Sequence, residues 1–120
     1  MASPEGVLDT YFRLSDTAGS NRVDFEQLVG LFAPDAVVTP NQGQTVSGAR
    51  AVRDFFESFF SRNVLLRHVW TTHPDSSSGV AVDWAVAGRR RDGGVFALAG
   101  TDTATVGPDG KITTLQVQAA

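Results

Sequence analysis

Residues 80–90 read VAVDWAVAGRR and residues 95–106 read VFALAGTDTATV. In both, large side chains alternate with small or polar ones. Val80, Val82, Trp84 and Val86 fall on one face of an extended chain, and Ala81, Asp83, Ala85 and Ala87 on the other. Phe96, Leu98, Gly100, Asp102, Ala104 and Val106 likewise oppose Val95, Ala97, Ala99, Thr101, Thr103 and Thr105. A period of two marks strands buried on one face. The same alternation spans about Val64–His73 upstream, where Val64, Leu66, His68 and Trp70 share a face, and Ile112–Ala119 downstream. The breaks between these runs are Pro74-Asp75 through Gly79, Arg91-Asp92-Gly93-Gly94 and Gly107-Pro108-Asp109-Gly110. These are hairpin turns, so the sequence predicts a four-stranded antiparallel meander.

Ahead of the meander the period is helical. Ser3-Pro4-Glu5 starts a helix, with serine as cap and proline where a missing N–H costs nothing. Val7, Leu8, Tyr11, Phe12, Leu14 and Ser15 then share one face, and the helix should reach Asp16 or Ala18 before Gly19-Ser20-Asn21 breaks it. Asp24-Phe25-Glu26-Gln27 reads as a capping box with Asp24 as cap, opening a helix that carries Phe25, Leu28, Val29 and Phe32 until Pro34 stops it. A short strand at Ala36–Thr39 turns at Pro40-Asn41-Gln42-Gly43, and Thr45-Val46 pairs back. A third helix at about Ala49–Ser61 presents Val52, Phe55, Phe56, Phe59 and Phe60. Helices gathered before such a sheet imply an α+β domain with the helices on one face.

The chain has 120 residues, 42% hydrophobic and 19% charged, with a formal net charge of −3. That suits one globular domain over residues 1–120. No apolar run approaches a membrane-spanning length of ~20 residues, and Met1–Gly6 lacks the features of a leader. With no cysteine, thiol catalysis and disulfides are excluded, and the cytoplasm is the expected location. The one basic cluster, Arg89-Arg90-Arg91, runs into a turn and gives no broad basic face for nucleic acid. The two histidines lack metal-site spacing, so neither metal nor cofactor is expected.

Two polar groups interrupt the apolar strand faces, His68 and Asp102. On the first helix Tyr11 and Ser15 lie one turn apart, with Asp16 beside them. A convergent tyrosine, histidine and aspartate in an apolar hollow makes a candidate site. Each has a purely structural alternative. His68 and Tyr11 would serve as hydrogen-bonded core residues, Asp16 as a solvated helix end, and Trp70 and Trp84 as core or pocket wall. Asp102 is harder to explain that way, because a core-facing carboxylate is costly unless paired or protonated. The expected partner is Tyr11 or a helix end.

The order helix, helix, short strand, helix, long meander resembles the nuclear transport factor two-like (cystatin-like) superfamily. Asp24-Phe25-Glu26-Gln27-Leu28 through Leu31-Phe32-Ala33-Pro34-Asp35-Ala36-Val37-Val38 resembles its second helix and first strand. Ser47-Gly48-Ala49-Arg50-Ala51-Val52-Arg53-Asp54-Phe55-Phe56 resembles the start of its third helix, and Gly107-Pro108-Asp109-Gly110-Lys111-Ile112 its last hairpin. The resemblance is strongest to the SnoaL-like and ketosteroid-isomerase branch. It implies a curved antiparallel sheet wrapped around the N-terminal helices as a cone-shaped half-barrel with a central pocket, and a homodimer formed across the outer sheet face.

The resemblance also implies roles. Ketosteroid isomerases hold a developing enolate oxygen with a tyrosine on the first helix and an aspartic acid on the penultimate strand. Tyr11 and Asp102 match those positions. The family base, a carboxylate before a proline, is replaced by Thr39 before Pro40, and Phe56 falls near the place of a second tyrosine. His68 would then supply the base from another wall, and Asp16 with His68 loosely resembles the acid–base pair of dehydratases in the superfamily. The catalytic candidates are thus Tyr11, Asp102, His68 and Asp16. Ser15, Phe56, Leu66, Trp70, Trp84 and Leu98 are the ligand-binding candidates. The implied activity is that of an isomerase, cyclase or dehydratase of an enolisable, polyketide- or steroid-like carbonyl compound. The alternative is a non-catalytic binding or dimerisation module, since this fold serves both.

Overall fold

The computed structural model describes residues 3–75 and 79–120. Along the chain it forms α1 (Pro4–Ser15), α2 (Arg22–Val29), β1 (Phe32–Thr39), β2 (Val46–Ser47), α3 (Ala49–Arg62), β3 (Asn63–Pro74), β4 (Gly79–Arg90), β5 (Val95–Val106) and β6 (Ile112–Ala119). The expected turn at Ser76-Ser77-Ser78-Gly79 lies outside the described residues except for Gly79, whose carbonyl accepts from the Asp75 N–H at 3.2 Å.

Helix α1 follows its sequence signals. Ser3 Oγ accepts from the Gly6 N–H at 3.1 Å, Pro4 occupies the first turn, and the buried residues are Val7, Leu8, Tyr11, Phe12, Leu14 and Ser15. Helix α2 differs from the expectation at both ends. Asn21, not Asp24, is the cap, its side chain accepting from the Asp24 N–H. The helix closes at Val29, with Gly30 as its cap, so Pro34 does not end it. Pro34 instead lies inside β1, which starts at Phe32 rather than Ala36. The register of β1 against β6 shifts between Phe32 and Val37. At such an irregularity the absent proline N–H breaks no ladder.

The meander is present as expected, with β3–β4, β4–β5 and β5–β6 all antiparallel. The six-stranded sheet runs in the order β2-β1-β6-β5-β4-β3. It is curved and unclosed, and it is mixed, because β1 joins β6 in parallel. That one pairing departs from an all-antiparallel sheet. It follows from the α3 crossover and the returning meander, which carry the last strand back beside the first.

The helices cover the concave face. Phe25, Leu8, Leu28, Ile112, Leu115, Val38 and Val52 are among the fully buried side chains that join them to the sheet. Each contributes roughly 1.5–3 kcal/mol relative to exposure. Side-chain parity on β4 and β5 holds for Val80, Val82, Val86, Asp102, Ala104 and Val106, which are buried, but not for Leu98, which is 48% exposed, or for Ala81, which is buried. On β3 it fails at the start. A register shift between Asn63 and Leu65 adds a residue, and Val64, expected to face inward, is 44% exposed.

Candidate active site

A cavity of about 410 Å³ opens between α1, α3 and the concave face of β3 to β6. This lies within the range typical of small-molecule sites. Tyr11, Phe12 and Ser15 enter it from α1, and Phe55, Phe56 and Phe59 from α3. The sheet supplies Leu66 and His68 from β3, Trp84 and Val86 from β4, and Phe96, Leu98 and Asp102 from β5. Most of this lining is hydrocarbon, so the few polar groups in it carry the chemistry.

Asp102 is 3% exposed. Its Oδ1 accepts from the Trp84 indole Nε1–H at 2.8 Å, in place of the expected bond from Tyr11. Gly100 makes that bond possible. It pairs with Trp84 across the ladder, and a Cβ there would lie 2.7 Å from the indole ring. Burial pushes the Asp102 carboxyl up from 3.8 to about 7, with the Trp84 hydrogen bond opposing. A substantial share of the molecules therefore carries a neutral, O–H-donating acid at this position near neutral pH.

Tyr11 is buried among Phe12, Phe32 and Phe56, whose ring centroids lie 5.1 to 6.0 Å away in edge-on or steeply inclined contacts. Burial raises the Tyr11 phenol well above its ordinary value, the negative charge of Asp102 raises it further, and Ser15 opposes. The phenol therefore stays a donor at any physiological pH. The Ser15 hydroxyl donates to the Tyr11 carbonyl at 2.8 Å, one helical turn back, and so fixes its own rotamer.

His68 and Asp16 form the third polar element. One oxygen of Asp16, at the end of α1, meets both His68 Nδ1 at 2.7 Å and the His68 backbone N–H at 3.0 Å. A carboxylate at Nδ1 selects the Nδ1–H tautomer, which leaves the lone pair on Nε2. The Phe12 ring holds the imidazole edge-on at 5.5 Å.

Of the ten sequence-predicted site residues, Tyr11, Ser15, Phe56, Leu66, His68, Trp84, Leu98 and Asp102 line the cavity. Asp16 sits behind His68. Trp70 is not in the lining: its ring stacks on Phe12 at 5.7 Å and its Nε1 donates to Asp9 at 3.0 Å. Thr39 also lies outside, with its hydroxyl 3.3 Å from that of Thr45. Several lining residues had no place among the sequence candidates, including Arg62, Arg90, Asn41, Gln42, Val117 and Ala119. Asn41 and Gln42, in the loop after β1, arrive through the parallel β1–β6 pairing, which no local pattern announces. Inward parity on β5 and β6 was the available signal for Phe96 and Val117. Among the described residues no group of three or more histidine, aspartate or glutamate side chains is placed to hold a metal ion.

The fold agrees with that of other proteins. Residues 14–115 match the SnoaL-like domain, and the chain belongs to that family. An NTF2-like protein of unknown function from Exiguobacterium sp. 255-15 superposes with a TM-score of 0.87 at 32% identity, over 95% of this chain and 98% of the other. The Δ5-3-ketosteroid isomerase from Mycobacterium sp. superposes with a TM-score of 0.79 at 25% identity, over 97% and 92%. An epoxide hydrolase/cyclase-like enzyme of pyran ring formation in polyether salinomycin gives 0.80 at 20% identity, over 98% and 90%. Among curated proteins none matches the sequence.

Proposed function

We propose that this domain is a cytoplasmic, cofactor-independent isomerase, cyclase or dehydratase that acts on an enolisable, steroid- or polyketide-like carbonyl compound. The observation that carries the reading is the pairing of His68 with Asp16 in a cavity that also presents Asp102 and Tyr11. The ligand oxygen accepts hydrogen bonds from the Tyr11 phenol and the protonated Asp102. His68 Nε2 removes a proton from the carbon next to the carbonyl, and charge develops on that oxygen, where the two donors meet it. Return of the same proton to a different carbon completes an isomerisation. Donation of that proton to a departing β-hydroxyl, which leaves as water, completes a dehydration. Asp16 is a positioning residue that holds the imidazole tautomer.

The test is hydrogen exchange. β-Tetralone in deuterated buffer should lose its α-protons faster with the protein than without, as read by proton NMR. His68→Ala should remove most of the effect, by roughly 10²–10⁴-fold. Binding without any exchange above buffer would favour a purely ligand-binding module, the reading that Thr39 at the isomerase base position supports. Thr39 also implies slow turnover of a standard β,γ-unsaturated ketosteroid, and family-like rates on that substrate would contradict that inference.

Two copies are proposed to pair through the outer sheet face. Val95 is 74% and Val69 is 69% exposed there, beside the small residues Ala85, Ala97 and Ala99, which align across β4 and β5. An exposed apolar patch of this kind suits burial against its own symmetry mate.

A further inference from the structure

Asp102, paired with Val82, and the Trp84 indole that holds it lie toward one end of the cavity, and His68, paired with Val86, lies midway along β4. The other end is cationic. Arg62 closes α3 and Arg90 closes β4, and both line the cavity. They are brought together because Asn63, the residue after Arg62, pairs with Arg90. The guanidinium of Arg90 lies over the Phe96 ring at 4.5 Å, which Gly88 accommodates: a Cβ at Gly88 would meet that ring at 2.5 Å. Arg62 Nη1 donates to Ser58 Oγ at 2.7 Å.

Neither arginine forms an ion pair with a carboxylate among the described residues. Of the arginines, only Arg22 and Arg53 form ion pairs among the described residues, with Glu57 and Glu26. A helix C-terminus alone would account for a cation at Arg62. It does not account for Arg90 converging on the same mouth from the sheet. Two guanidinium groups at the rim of an apolar cavity, with donors to spare, are suited to a carboxylate.

We propose that the ligand is elongated and carries a carboxylate at the end opposite its carbonyl oxygen, received by Arg62 and Arg90. This rests on the reading of the inner end given above. Trp84, which holds Asp102, and Gly88, on which the Phe96 ring lies, are separated by four residues of β4. That corresponds to about 13 Å of strand. The ligand's two oxygen-bearing ends are therefore separated by about that distance, with hydrocarbon between them against the phenylalanines of α3.

An ω-(para-hydroxyphenyl)alkanoate whose phenol and carboxylate oxygens lie about 13 Å apart tests the assignment, compared by calorimetry with its methyl ester. The acid should bind the parent protein roughly tenfold more tightly than the ester, the scale of a charge-assisted contact at a partly dry rim. The advantage should shrink as salt is raised. In Arg62→Gln and Arg90→Gln together, acid and ester should bind alike, a ratio taken within one protein and so independent of its stability. Equal binding of acid and ester to the parent overturns the carboxylate assignment and leaves the inner site standing. If neither probe binds, the inner-site reading falls and the carboxylate assignment falls with it.

Discussion

At the scale of the residue, Asp102 gives the most direct expectations. Its carboxyl titrates near 3.8 when unfolded and at about 7 in the folded chain. Between those values the folded state binds more protons than the unfolded state, so stability falls as pH rises through this window and levels off above it. The total change is on the order of 4 kcal/mol. Asp102→Asn keeps an acceptor for the Trp84 indole and removes the titration. Urea midpoints measured from pH 4 to 8 should therefore slope downward for the parent and flatten for this variant. Binding of a ketone should weaken above pH 7 in the parent alone, as Asp102 loses the proton it donates. Asp102→Ala should keep the fold and weaken binding of phenols by about 2–4 kcal/mol, the usual scale for losing an oxyanion donor. A carbon-13 titration of Asp102 centred near 4 would contradict all three expectations. Asp102 and His68 were legible in the sequence because a polar group on an apolar parity is costly without a purpose. The Trp84 bond was not legible, because it depends on a glycine one strand away.

At the scale of the element, Gly100 is the sharpest case. A Cβ there would meet the backbone carbonyl of Gln118, the Trp84 ring at 2.7 Å and the Ala119 Cα at 2.8 Å. Two of these neighbours are main chain and cannot swing aside. Gly100→Ala should cost roughly 1–3 kcal/mol by overpacking and push the indole away from Asp102. Lower thermal stability with a shifted tryptophan emission should both appear. The long periodic elements, α1 and β4 to β6, were read correctly, because burial imposes the period that the sequence displays. The short ones were misjudged where a local signal competed with sheet pairing. Pro34 carries the mark of a helix stop, yet Phe32 pairs with Ile112, and the chain is already extended there. Val64 was assigned by parity, which a single inserted residue on β3 reverses.

At the scale of the whole molecule, the proposed dimer gives a measurable mass. Light scattering at micromolar concentration should report two chains, and Val95→Arg combined with Val69→Asp should give one. Those residues lie on the convex face, away from the cavity, so ligand binding should survive the change of mass. A parent that is monomeric at that concentration would contradict the pairing. The concave architecture could be expected from the helix-then-meander order. The rim of the cavity could not, because it is assembled from Arg62 and Arg90 together with the loop after β1 and the end of β6, which lie far apart in sequence.

That rim has a practical side. Ala119 lines the cavity, its N–H donates to Asn41 Oδ1 at 2.9 Å, and the Ala120 N–H donates to the Ala99 carbonyl at 2.7 Å. Any polypeptide joined after Ala120 begins one residue from a binding wall. A purification tag or fluorescent protein attached there would crowd the opening and change measured affinities, whereas a fusion ahead of Ser3 would not abut a cavity residue. A solvent-sensitive dye attached just after Ala120, in turn, would report ligand entry without any substitution inside the pocket.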